Sequence, residues 1–283
     1  MKQKTSLIMI NTAVLLFGMA GLFARMIDIP AIGITFARVF FSSITLLIFS
    51  FITKQNIKIK NKKHLIILIV AGIVLAIHWW SFLYAIQISS VAIGTITFSS
   101  FPLFITFLEP LFFHEKLHIK DIFLCICILL GVLVTIPTFS LENQSFQGII
   151  IGTISALSYA LLTLMNRYFS NAYSSITISL YEQSSATLVL LPTLFIIKTV
   201  PTITEIGLLI FLGVVTTALA HTLFISSLKQ IPAHIAGIIS SLESVYSIIL
   251  AIILFQEFPT IREILGATLI ITTVIIAQLQ DQS

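Results

Sequence analysis

The 283 residues are 58% hydrophobic and only 9% charged, with a mean hydropathy of +1.10, which excludes a soluble globular domain of this length. A formal net charge of +4 and a pI near 9.1 do not point to nucleic acid, because the basic residues gather in short loops between apolar stretches, where they meet anionic lipid headgroups. The composition leaves an all-α membrane protein with the lipid bilayer as its first partner.

Roughly 20 apolar residues span the hydrocarbon, since each backbone polar group there must be satisfied within its own helix. Ten such stretches follow one another, at 6–24, 31–52, 65–86, 90–113, 119–138, 146–167, 175–197, 203–228, 233–256 and 261–280. The first follows Lys2 and Lys4 as a signal peptide would, but its apolar run is longer than a secretory one and it has a counterpart at 146–167, so it reads as a retained helix.

The second stretch carries Arg38, and its counterpart, the seventh, carries Glu182. A charge near the bilayer centre costs about 2.5–3.5 kcal/mol on insertion scales, so each needs a local partner or an opening to line. If the halves are inverted, the two lie on opposite sides of the midplane. The third stretch places His78, Trp79 and Trp80 deep in the membrane, too deep for an interfacial belt, and His221 falls opposite Trp79 in the eighth. For these residues a cavity role and a packing role are both open.

In the fourth stretch Thr95, Ser99, Pro102, Thr106 and Glu109 stack along one helix face; in the ninth, Gly237, Ser240, Ser241, Ser244, Ser247 and Ala251 do the same. Such stripes serve close helix packing or line a polar cavity. Pro102 should kink the fourth helix, and the ninth has Ser244 in its place. Glu109, near the end of its helix, is expected to reach headgroups or Lys116. Glu115 and Glu257 are expected to bond N–H groups at the start of the next helix. Glu243 lies near the midplane, either as a carboxylate that exchanges a proton or holds a cationic group, or as a buried neutral acid. Cys125 and Cys127, mid-helix on different faces, read as packing, and no metal or cofactor is expected.

Glu115 and Glu257 stand 142 positions apart, and at that offset Pro102 falls on Ser244 and Ala85-Ile86-Gln87 on Ser227-Leu228-Lys229. The chain therefore divides into two five-helix repeats, 1–141 and 142–283. Five is odd, so the second repeat enters the membrane from the opposite side, the plan of an inverted-repeat transporter. Lys2, Lys4, the 54–63 loop, Lys116, Lys120, Arg167 and Lys229 share one side, against Arg25, Lys198 and Arg262 on the other, which predicts cytoplasmic N- and C-termini.

The Phe36-Ala37-Arg38-Val39-Phe40 segment, the Pro102-to-Glu115 segment and Ser241-Leu242-Glu243-Ser244 running to Glu257 resemble the drug/metabolite transporter superfamily, in its EamA-type branch of ten-helix carriers. The likeness covers nearly the whole chain. It implies a central cavity lined largely by the third, fourth, eighth and ninth helices, alternating access, and export or uptake of small organic solutes such as amino acids. The function expected is an inner-membrane secondary carrier, an exporter or exchanger, working as a monomer on a small-molecule substrate, with protons as a coupling ion in some members. Its expected substrate-binding residues are Arg38, His78, Trp79, Ser99, Glu182, His221, Ser240 and Glu243.

Other classes fare worse. No GxxxxGK[ST] motif or HExxH occurs, and Asp28, Asp121 and Asp281 fall at span ends or beyond, which leaves an intramembrane enzyme without its carboxylate pair. A channel should show a repeated filter. A lipid flippase leaves no distinct signature and stays as the alternative.

Overall fold

The computed structural model describes residues 3–114, 119–135 and 140–280. Glu115, Lys116 and Asp281 fall outside them. Among the described residues the chain forms ten helical segments. They are α1 (Lys4–Met26), α2 (Ala31–Ile52), α3 (Lys62–Ile88), α4 (Val91–Phe113), α5 (Ile119–Thr135), α6 (Gln144–Ser170), α7 (Ser175–Leu190), α8 (Ile203–Ser227), α9 (Ala233–Phe255) and α10 (Ile261–Gln280). Seven are long and apolar enough to cross a membrane by length and composition. The seventh stretch is shorter than its apolar run: α7 gives way to a 3₁₀ turn, Leu191–Phe195, where Pro192 cannot donate the next helical hydrogen bond.

The packing repeats with the sequence. Helix α3 packs on α6 and α7, and their counterparts α8, α1 and α2 pack in the same way. Helices α2 and α7, α4 and α9, and α5 and α10 each pack on their own counterparts, so a pseudo-two-fold axis passes between them. This is the expected pair of inverted five-helix repeats. Large apolar side chains such as Phe51, Phe195 and Ile203 stay exposed on the outer faces, as a lipid-facing surface requires.

Lipid tails are as apolar as leucine, so close backbone approach replaces hydrophobic burial as the force between membrane helices. Gly72 lets α3 reach α7: a Cβ there would lie 2.5 Å from the carbonyl oxygen of Glu182. Gly213 does the same for α8 against α2, where a Cβ would meet Cβ of Phe41 at 2.5 Å. The polar stripes also pack. Thr95 donates back to the Val91 carbonyl, Ser247 donates to the Gly18 carbonyl at 2.7 Å, and Cys125 of α5 sits 3.1 Å from Oγ1 of Thr106.

Both α4 and α9 are broken mid-span. Helix α4 pauses at Ser99–Ser100, just before Pro102, and α9 pauses at Ser241 although no proline is there. The break in α9 thus does not depend on proline. Ser99 Oγ faces the Ser241 carbonyl and Ser241 Oγ the Ser99 carbonyl, both at 3.4 Å, a reciprocal pair across the axis. Helix α8 carries a π-helical turn at Val214–Leu219, which sequence periodicity did not announce.

Replacing Gly72 or Gly213 with Ala should lower stability by about 1–3 kcal/mol through overpacking. Gly207→Ala, where a Cβ meets nothing within 4 Å, should not. Thermal unfolding of the three variants in one detergent checks this; equal midpoints would show that these crossings tolerate a methyl group.

Candidate functional site: a closed cavity between the repeats

The π-helical turn of α8 points Thr217 toward α2. Thr217 Oγ1 donates to the Leu212 carbonyl and accepts from Nε of Arg38 at 3.1 Å. Its guanidinium carbon then lies 3.8 Å over the Trp79 ring, a cation–π contact worth about 2 kcal/mol or more once desolvated. Arg38 is only 1% exposed, and one of its terminal nitrogens, Nη1, has no hydrogen-bond partner among the described residues.

Opposite charge comes from α9. Glu243 stands in the first turn after the break at Ser241, where the restarted helix presents its positive end. Glu243 and Arg38 line one cavity. The other walls are Phe17 and Ala20 of α1, His78, Trp79 and Phe82 of α3, Phe98 of α4, Tyr159 of α6 and His221 of α8. The free space among these side chains is about 10 Å³, room for roughly one water. The site is closed.

Five of the residues expected from sequence meet here: Arg38, His78, Trp79, His221 and Glu243. His78 is also held by α6, its Nδ1 lying 2.9 Å from Oγ of Ser155. Glu182 lies behind the wall, with Oε2 2.8 Å from Nε2 of His221. Ser99 and Ser240 are buried in helix packing, each donating back to its own helix, to the Thr95 and Ala236 carbonyls. Arg38 and Glu182 thus each have a partner of their own, as expected of charges on separate helices.

Sequence reasoning missed Phe17, Phe82, Phe98 and Tyr159. The 142-residue offset could have found one pair, because it sets Phe17 opposite Tyr159 just as it sets Trp79 opposite His221. Tyr159 packs against His78, Phe98 and Phe101 at ring separations of 4.6–5.2 Å, and its hydroxyl has no partner among the described residues.

Two acids tie the starts of α4 and α9 to the other repeat, and both correct the sequence reading. Glu109 does not reach headgroups; it is 3% exposed, pairs with Arg167 of α6, and accepts the N–H groups of Ala233 and His234 at 3.0 and 3.2 Å. Nδ1 of His234 lies 2.7 Å from the same carboxylate. Pro232 gives α9 no side-chain cap, so a carboxylate from α4 supplies one. Glu257 does not cap the next helix, which Thr260 and Glu263 cap between them. It accepts the N–H of Val91 at 3.1 Å, at the start of α4, with Arg25 3.7 Å away. Val91 and Ala233 are themselves 142 positions apart.

This arrangement agrees with what comparison with known proteins returns. The EamA-like transporter family matches the chain twice, at residues 4–136 and 146–278. The chain belongs to that family. Similar members of known name include an S-adenosylmethionine uptake transporter of Rickettsia bellii, 27% identical over 84% of this chain and 80% of its own length. Another is the pseudopaline exporter CntI of Pseudomonas aeruginosa, 26% identical over 87% of this chain and 86% of its own. A crystal structure 16% identical in sequence superposes with a TM-score of 0.78 over 99% of this EamA-like chain and 98% of the other, which shows the shared fold. As a member, this protein is a multi-pass membrane transporter.

Glu109→Ala leaves Arg167 and two helix N–H groups without their carboxylate, and removal of one partner of a buried ion pair typically costs 3–5 kcal/mol. Unfolding should move accordingly. Glu263→Ala, which loses the Thr260 cap and a long 3.5 Å contact from Ser90 Oγ, should cost about 1 kcal/mol; similar losses in the two variants would remove Glu109 from its place as a tie.

Proposed function

We propose that the protein is a secondary carrier that moves a small zwitterionic metabolite, an amino acid or related solute, by alternating access through the Arg38–Glu243 cavity. One observation carries this reading: a guanidinium and a carboxyl group line the same closed, otherwise largely aromatic space, where the carboxylate and the amine of a substrate can each find a partner. His78, Trp79 and His221 flank that pair. Ser99, Ser240 and Glu182 join the site as residues supporting its walls.

Repeat 1–141 contributes Arg38 and Trp79, and repeat 142–283 contributes His221 and Glu243, so the cavity lies between them. Rocking of one repeat on the other, with the Glu109 and Glu257 ties broken in turn, opens it to each side. One chain holds both repeats and acts as a monomer. The basic 54–63 loop and Lys229 support cytoplasmic termini in a bacterial-type inner membrane, with the Glu109 end inward. The names of the relatives cover both uptake and export; we read this chain as an exporter or exchanger driven by a gradient. No residue is given a catalytic role.

A lipid flippase is the second reading. It is favoured by a groove of about 380 Å³ between α2 and α7, lined by Phe40, Ile44, Leu47, Leu180 and Leu188.

The test is untargeted mass spectrometry of cells and medium, comparing the unmodified protein with Glu243→Gln and Arg38→Lys at matched membrane levels. One class of aqueous metabolite should redistribute with the unmodified protein, and by tenfold or more less with either variant, the loss expected for one charge-assisted hydrogen bond. Equal redistribution by all three would take both charges out of the site. A change confined to lipids would favour the flippase.

A further inference from the structure

The polar groups at the cavity fall into two sets. Arg38 and Glu243 face the free space, whereas Glu182 is set back from it behind the wall residue His221, the two being 0% and 1% exposed. Their hydrogen bond uses only half of what they offer. Oε1 of Glu182 and Nδ1 of His221 have no hydrogen-bond partner among the described residues, although hydrocarbon on the far side of the helices supplies no water. A pair kept only to join α7 to α8 would do better as two apolar residues.

We propose that Glu182 and His221 form a proton-binding site and that Trp79 couples its occupancy to Arg38. Uptake of one proton at the imidazole turns a carboxylate–imidazole pair of net charge −1 into a neutral carboxylate–imidazolium pair. Release reverses it, and no other bond is made or broken. The rings of His221 and Trp79 meet edge to face at a separation of 5.8 Å, and the same indole lies under the Arg38 guanidinium at 3.8 Å. An imidazolium there is a second cation drawing on one ring, so it loosens the hold of Trp79 on Arg38 and frees the guanidinium for a substrate carboxylate. Linkage is reciprocal: substrate that draws Arg38 away favours the proton.

The groups that face the pair are Arg38 on α2, His78 on α3, Tyr159 on α6 and Glu243 on α9, with the neutral Asn166 of α6 beside Glu182. Of the titratable ones, His78 is the competing proton acceptor in contact with Trp79, at a ring separation of 6.3 Å, and it is bonded instead to Ser155. The coupling rests on reading the cavity as the transport site; the proton site does not.

The chain has two tryptophans, so Trp80→Phe leaves Trp79 as the reporter, and an imidazolium in contact with indole quenches its fluorescence. Purified Trp80→Phe protein in detergent, titrated between about pH 5 and pH 8, should lose emission reversibly on acidification. Adding His221→Asn, or His221→Gln should the first not fold, should abolish the transition. Glu182→Gln should move its midpoint by about one unit or more. His78→Asn should keep it. No transition in the Trp80→Phe protein, one that survives loss of His221, or one that vanishes with His78 overturns the site. The titration reads protons alone, so its failure leaves the carrier reading to the metabolite experiment.

Discussion

A helix broken in mid-membrane frees backbone groups that hydrocarbon cannot solvate, and the whole site depends on how this chain meets that constraint. It places both breaks where the repeats touch. Ser99 and Ser241 stand with each hydroxyl 3.4 Å from the other's carbonyl, so the two breaks meet across the axis, while the hydroxyl and N–H of Ser244 take up the Ser241 carbonyl. Helix α9 then restarts just before Glu243 and turns a positive helix end toward that residue.

The charges then follow one rule: none is left to the lipid. Arg38 has Thr217 and the Trp79 ring, Glu182 has His221, and Glu109 has Arg167, His234 and two backbone N–H groups. The differences lie in what remains unspent. Around Glu109 both oxygens are used, which suits a tie. Around the cavity, atoms of Arg38, Glu182, His221 and Tyr159 lack partners among the described residues, which suits a place where a ligand arrives.

Much of this was legible in the sequence, because hydropathy and an odd-numbered repeat are constraints on whole segments. Ten helices and their inversion follow from the spacing of apolar runs, and Trp79 with His221 follows from the repeat register. Other features depend on contacts between segments far apart in the chain. Nothing near Glu109 shows that its partner is the start of a helix 124 positions away. The π-helical turn that aims Thr217 at Arg38 leaves no periodic trace. With Ser244 in the place of a proline, the sequence made a kink in α9 less certain than the one in α4, whereas α9 is broken at Ser241, whose carbonyl the Ser244 hydroxyl takes up.

The starts of α4 and α9 are tied unequally. At the start of α9 a buried carboxylate gathers an arginine, a histidine and two helix N–H groups; at the start of α4, Glu257 holds one N–H and a half-exposed Arg25 across 3.7 Å. Two doors with different latches do not stand open for equal times. In the carrier proposed above, the Glu257 contact is therefore the one that gives way more readily, and release of Glu109 is the costlier of the two steps.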